Sequence, residues 1–272
     1  MVDTAYPETK SIVASLVRRT VFTPIRQGSA VAETVARLGQ AIALGLLRPG
    51  DRLPAETQLA AALGISAVTL RGALAILREA GLLETRRGRG GGTFVSPTLP
   101  RSPVGGQTSL PAEDELRDLI DYRSVVEGGA AGLAAERATT EQIGHLAALV
   151  EQMDGESGFA AWSEADTLFH LILADASHSH RLVTAVTELR SNAYHISALF
   201  DPVPVTTMRL SNQGHKEILR EVKARRPEPA RAAMVRHIES TLAFWLGLQS
   251  RLTSAGGASG LEGHSGDGAG KR

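Results

Sequence analysis

The chain has 272 residues, 43% of them hydrophobic, and no cysteine, which leaves room for two ordinary domains, each with its own core, and excludes disulfides, thiolate nucleophiles and Cys-type zinc sites. Its net charge of zero conceals a division: residues 1–96 carry 12 Lys/Arg against 7 Asp/Glu, and residues 97–272 carry 17 against 22. A basic N-terminal part suited to a polyanion thus precedes an acidic one with a different task.

Residues 1–29 form an N-terminal extension holding one short amphipathic piece, "SIVASLVRRTVF", to which no role is assigned. Arg18 and Arg19 interrupt its apolar run, so no signal peptide is expected; with no membrane-spanning stretch either, the protein is placed in the cytoplasm without a membrane partner. From Val31 to Leu47 apolar residues recur with helical period until "RPGD" stops them. "LPAETQLAAALGI" starts with Pro54 and stops at Gly64, and a third helix runs from Ser66, its N-cap, to Gly81. A helix, a glycine turn and a second capped helix outline a helix-turn-helix. Two β-prone runs come next, Leu82 to Thr85 and Thr93 to Ser96, around a glycine-rich loop with Arg86, Arg87 and Arg89. Alone, such a hairpin has a solvated basic loop as its lesser alternative; directly after a helix-turn-helix it reads as a wing.

"SPTLPRSPVGGQTSLP" can continue neither helix nor strand, so residues 97–112 form a linker between the winged module (30–96) and the C-terminal part of the chain. Residues 113–252 show helical period only, in six segments: Glu113 to Ala138, Glu141 to Met153, Gly158 to Ala176, Arg181 to Leu199, Thr206 to Arg225 and Pro229 to Leu252. The fold class is therefore mainly α, with a winged helix-turn-helix and a C-terminal helical bundle whose facing helices can build a ligand site. The Gly/Ser-rich residues 253–272 read as a disordered tail, which removes His264 from consideration as a ligand.

Within the bundle, "DTLFH" sets Asp166 and His170 one helical turn apart in an apolar run. Two polar groups on one buried face need a partner, and a metal ion held by oxygen and nitrogen would serve. His215 lies 12 residues before Pro227 and His237 lies 10 after it, so in an antiparallel pair the two stand at nearly the same height. An Asp-His-His-His set suits zinc first, with nickel, manganese or iron as alternatives. Spacing alone leaves open that any of these is a hydrogen-bonded core residue, the reading given to His145, His178, His180 and His195 along with a surface one. Arg123 and Glu127 are likewise one turn apart, beside a run from Tyr122 to Val126 that reads as core-facing; spacing alone makes them a surface ion pair.

The stretch "ALGLLRPGDRLPAETQLAAALGISAVTLRGALAILREAGLLETRRGRGGGTFV" resembles the winged helix-turn-helix of GntR-type transcription regulators. The resemblance implies a double-stranded DNA operator as partner, met by Arg71 with Ser66 and Thr69 on the recognition helix and by Arg87, Arg89 and Gly90 in the wing. Thr57, Ala67 and Gly72 depart from the family, which often has Arg at the first two positions and Glu at the third. Residues 113–248, with "DYRSVVEGGAAGLAAERAT", "DTLFHLILADAS" and "GHKEIL...MVRHIEST", resemble the FCD domain of the FadR-like subfamily. This implies metal binding by Asp166, His170, His215 and His237, a small carboxylate effector reached by Arg123, and a homodimer. Ser179 stands where that family usually has Asn near the pocket. The expected function is an effector-responsive, metal-containing transcription regulator rather than an enzyme. The rivals are a metal-dependent enzyme domain fused to a DNA-binding module, and a regulator whose metal is purely structural.

Overall fold

A computed structural model describes residues 21–22, 30–99, 111–198 and 203–258. Its elements are α1 (Ala30–Ala43), α2 (Glu56–Leu63), α3 (Ala67–Glu79), β1 (Leu83–Arg86), β2 (Gly92–Val95), α4 (Glu113–Arg137), α5 (Thr140–Gly155), α6 (Phe159–Ala176), α7 (His180–Ala198), α8 (Val205–Lys223) and α9 (Pro227–Ala258). The molecule is mainly helical, with a winged helix-turn-helix followed by a helical bundle. Most of the expected 1–29 extension, most of the 97–112 linker and residues 259–272 of the expected tail lie outside the described residues.

In the N-terminal module α1 ends a turn earlier than its periodicity suggests, because Gly45 adopts φ +71° and turns the chain. Leu44, Leu46 and Leu47 still reach the core, but from irregular backbone. Gly64, at φ +67°, closes α2, and the Ser66 hydroxyl accepts the Thr69 amide at 3.0 Å to open α3. Leu38, Leu59, Leu63, Leu70, Leu74 and Leu77 are buried where the three helices meet, each contributing about 1.5–3 kcal/mol by leaving water. The hairpin is antiparallel, pairing Leu83 with Val95 and Arg86 with Gly92. Gly50 to Leu53 lies along the outer edge of β2, with Leu53 N donating to Thr93 O and Val95 N to Asp51 O, both at 2.9 Å.

In the bundle α4 packs along α9, α9 against α8, and α6 between α5, α4 and α7. Trp162, Leu168, Phe169, Leu171, Ile172 and Leu173 bury α6 nearly all round, so Asp166 and His170 are largely withdrawn from solvent and must be satisfied inside. Arg225 ends the α8 turn at φ +57° and donates to the carbonyls of Ala135 and Ala138, tying that turn to the end of α4.

Two expectations are reversed. The run from Tyr122 to Val126 is not a core-facing one: Tyr122 is 51% and Val125 75% exposed and only Val126 of its apolar residues touches the core, while Arg123 and Glu127 are buried. The inward stripe of α4 is Leu116, Ile120, Arg123, Glu127, Ala130 and Ala134, a 3–4 spacing that carries the ion pair inward. The last helix also does not stop at Leu252; it runs to Ala258, into the stretch that composition reads as a tail. Helical hydrogen bonding tolerates Ser and Gly at the end of a helix, where composition is a weak guide.

Candidate metal centre and DNA-reading face

Asp166, His170, His215 and His237 converge in the bundle, each buried, with one potential ligand atom apiece all within 4.8 Å of one another. His170 Nε2 stands 3.4 Å from His215 Nε2 and 3.3 Å from His237 Nε2, and His215 Nε2 stands 3.1 Å from Asp166 Oδ1. Such nitrogens cannot all donate to one another. At 3.3–3.4 Å they have the spacing of atoms bound to one ion at about 2.0–2.1 Å with a near-tetrahedral angle. The donor set therefore fits a divalent transition metal.

The surrounding groups orient these atoms. Glu127 Oε2 faces His170 Nδ1 at 2.5 Å, and Asn212 Oδ1 faces His215 Nδ1 at 3.3 Å. With a proton on each Nδ1, both Nε2 lone pairs point at the cluster. Asn212 is itself held by its amide donating to Val150 O and Asp154 Oδ1. Arg190, on α7, pairs with Asp166 Oδ2 and leaves Oδ1 for the cluster. Gly214 makes room for His237: a Cβ there would come within 2.6 Å of His237 Nδ1.

Protonation follows from burial and charge. Burial pushes the Asp166 carboxyl up, but Arg190, His215 and His170 outweigh it and hold the group well below the usual carboxylate range. Burial likewise opposes the Glu127 carboxylate, and Arg123 and His170 overcome it. Burial, reinforced by Arg190, pulls His170 down to about 4 against the pull of Glu127 and Asp166. Burial with His215 and His170 nearby also lowers His237. At neutral pH the site thus offers ionised carboxylates and, at these two positions, neutral imidazoles, the forms in which each binds metal.

Beside the cluster lies a cavity of about 220 Å³ whose wall includes Arg123, Asp166, Arg190 and His237, with Trp162 and Trp245 among its apolar parts. Arg123 is 1% exposed; its Nε donates to Glu127 Oε1 at 2.7 Å, and its Nη1 and Nη2 have no hydrogen-bond partner among the described residues. The surface ion pair is thus a buried one with four of the five guanidinium N–H donors turned elsewhere. Ser179 does not line the cavity: its hydroxyl faces the Leu182 amide at the start of α7. His145 is half-buried and His178 and His180 are exposed, away from the cluster; the His195 side chain lies outside the described residues.

On the N-terminal module, Arg71 is exposed on α3, its Nε donating to Ala67 O and lying 3.8 Å from Glu56. Thr69 is half-buried and, like Ser66, is engaged in the cap. Arg87 and Arg89 are exposed at the wing tip. Gly90 has φ +89°, and a Cβ at Gly91 would come within 2.5 Å of Arg86 O, so the turn itself demands glycine. Arg86 pairs with Glu84 and lies 4.3 Å from the Phe94 ring centre, and Arg52 holds Gly91 O at 2.7 Å, so these two arginines shape the wing.

Sequence reasoning missed Arg190, Asn212 and the role of Glu127 toward His170. Asn212 was within reach, one turn before His215. Arg190 carried no local signal, since its partner lies 24 residues away on another helix.

Two family descriptions match the chain: bacterial regulatory proteins of the gntR family over residues 30–95, and the FCD domain over residues 118–240. The HTH-type RmpR of Mycobacterium gastri is 34% identical over 217 residues, covering 76% of this chain and 77% of its own. The Exu regulon transcriptional regulator of Escherichia coli is 29% identical, covering 77% and 81%. Among solved structures, E. coli McbR/YncC has a TM-score of 0.52 at 21% identity, covering 82% of this chain and all of its own, a likeness of fold.

Proposed function

The chain belongs to the gntR family of bacterial regulatory proteins and carries an FCD domain; it is a DNA-binding transcription regulator, and we propose that a small organic acid bound beside a metal sets its hold on the operator. In this reading residues 30–96 read DNA, 97–112 link, and 113–252 sense, with residues 1–29 and 253–272 outside both. Its relatives are named as regulators, and its function is regulatory rather than enzymatic. Among the described residues no single helix is long and apolar enough to cross a membrane.

Asp166, His170, His215 and His237 would hold the ion, zinc being the first choice for this donor set, with nickel, manganese and iron compatible. When bound, the ion supplies a Lewis-acidic position at the cavity wall. The chain's own residues do the rest: Glu127 and Asn212 aim two imidazoles, Arg190 fixes Asp166, and Arg123 receives the effector.

Arg123 carries this reading. A guanidinium buried to 1% exposure with two unpartnered nitrogens at the edge of a cavity is costly unless something fills it. A carboxylate matches the two nitrogens in two-point fashion. Charge points the same way. The buried carboxylates of Asp166 and Glu127 balance the guanidiniums of Arg123 and Arg190, so a divalent ion brings the site to a net charge of about +2, complementary to an anion. The cavity volume suits a short acid rather than a long chain. A homodimer through the helical domain completes the proposal, since two winged modules on two half-sites multiply affinity.

Titrating short mono- and dicarboxylic acids against the metal-loaded protein on its operator tests this. At least one acid should change DNA affinity in the wild type, while Arg123→Lys keeps the charge beside Glu127, retains metal, binds DNA and responds at least about tenfold more weakly. Equal responses in both proteins would remove Arg123 from the effector site.

A further inference from the structure

The recognition helix α3 presents an unusual outer face. Val68 is 74% exposed, although a large β-branched side chain in water gains nothing from that position within the chain. On the same face stand Ala67, Arg71, Gly72 and Ala75, all exposed, so over its first two turns the stripe is small or apolar apart from one arginine, with Arg78 and Glu79 following only in the last turn. Gly72 is the second oddity. Glycine in a helix interior weakens the helix relative to alanine. Here nothing inside the molecule asks for it: its backbone is helical, and an added Cβ would meet only Val31 Cγ2 at 3.8 Å, an ordinary contact. An exposed glycine without internal cause, next to an exposed valine, points to a surface that something must approach closely.

We propose that α3 reads its half-site chiefly through methyl contacts, Val68 packing on the C5-methyl group of a thymine while Gly72 lets the helix lie deep in the major groove and Arg71 takes a neighbouring guanine. The inference rests on α3 being the groove-reading helix of the winged module. Its chemistry follows from the groove itself: thymine alone offers a methyl group there, apolar side chains contact it, and Arg is the usual reader of guanine O6 and N7. Polar pairing cannot carry the readout, because Ser66 and Thr69 are bound to each other in the helix cap and Ala67 and Gly72 offer no polar side chain. A recognition helix with one long polar reader in its first two turns needs shape and methyl contacts for the rest of its specificity there.

Full-length, metal-loaded protein selects duplexes from a randomised pool, and the selected sequence is then tested by anisotropy at fixed salt. Single replacements of deoxythymidine by deoxyuridine remove the methyl group and nothing else. One thymine per half-site should be sensitive, with binding weakened about fourfold, the value of one buried CH₂-sized group at ~0.8 kcal/mol. Val68→Ser should bind the two duplexes equally; being an exposed position, it should keep the fold and the dimer. Arg71→Ala should keep the thymine-over-uracil preference while losing discrimination at the guanine. Gly72→Ala should raise the melting temperature yet weaken operator binding. The inference is overturned if no thymine in the selected site is sensitive, if Val68→Ser keeps the preference, or if Gly72→Ala binds as tightly as wild type. It is also overturned if Val68→Ser instead dissociates the dimer, which would assign the patch to self-association. Selection of no sequence at all, or specific binding untouched by any change on α3, would instead remove the helix from the groove and with it the underlying reading.

Discussion

The two working regions of this molecule treat charge in opposite ways. On the winged module, Arg71, Arg87 and Arg89 are exposed and come from one helix and one hairpin close together in the chain. In the bundle, Arg123, Glu127, Asp166 and Arg190 are buried, gathered from α4, α6 and α7, and tolerable only because each is paired. A surface that meets a polyanion can be built locally and left in water, since its partner supplies the compensation. A site that receives a small ion or acid must be compensated before the ligand arrives, and that takes residues from several helices.

The sharpest test of this contrast is Asp166→Ala in metal-stripped protein. It strands Arg190 as an unpaired buried cation, so we expect a loss of about 3–5 kcal/mol by urea denaturation even with no metal bound. Arg89→Ala, on the exposed side of the comparison, should change stability by less than about 0.5 kcal/mol. A similar small loss for both would mean that the buried charges are better solvated than their exposures indicate.

Acidification probes the same cluster without mutation. His170 titrates near 4 in the folded protein against an ordinary 6.5, so between those values the unfolded chain takes up a proton that the native state refuses. Stability of the stripped protein should therefore fall as pH drops from about 6.5 toward 4, by on the order of 3 kcal/mol from this group. It should go on falling below about 4, where unfolded carboxylates protonate and those of Asp166 and Glu127 do not. His170→Asn should make the upper part of this profile shallower, leaving the share that comes from His237, which burial also lowers; an unchanged slope would place the titrating group elsewhere.

The same contrast explains what could be read from sequence. The winged module declares itself through caps, glycines and a basic loop, all local signals, and its helices lie within a turn of their expected bounds. The four clustered residues are suggested by spacing, since Asp166 and His170 share a helix face and Pro227 fixes the register between His215 and His237, but it is the resemblance to the FCD domain that singles them out from the other histidines. Arg190 was not legible: its role exists only because α7 crosses α6 at Asp166, and no spacing along the chain encodes that crossing. The inward turn of Arg123 and Glu127 was misread for a related reason. An ion pair one turn apart looks the same on either face of a helix, and only the packing of α4 on α9 decides which face is buried.

At the DNA face the expected effects are smaller. Arg71→Ala or Arg89→Ala should cost about 1–3 kcal/mol of operator binding at fixed salt with the fold unchanged by circular dichroism. The two should differ in kind, Arg71→Ala relaxing sequence preference and Arg89→Ala weakening all duplexes and lowering the salt dependence. Wild-type affinity surviving both changes would show that the reading surface lies elsewhere.

The smallest effect is expected where the two regions meet. Arg48, in the turn after α1, pairs with Glu164 on α6, and a Cβ at Gly45 would touch Glu164 Cγ at 3.4 Å. The same helix turns Trp162 and Ser163 to the cavity and Asp166 to the cluster, so if an effector binds there as proposed, a shift of α6 would reach the winged module directly. The pair is partly exposed and contributes under about 1 kcal/mol to stability, but coupling is measured differently. Glu164→Gln removes the charge and keeps the shape. Metal content, effector affinity and DNA affinity without effector should stay at wild-type values, while the ratio of DNA affinities with and without acid should fall at least about twofold. Burial, with Asp51 and Glu156 adding like charge, raises the Glu164 carboxyl despite Arg48. Acidification should therefore weaken coupling in the wild type, as Glu164 protonates, and leave the Gln variant flat. If the ratio is the same in both proteins at every pH, the signal passes from the bundle to the DNA by another contact, and this ion pair merely joins two domains.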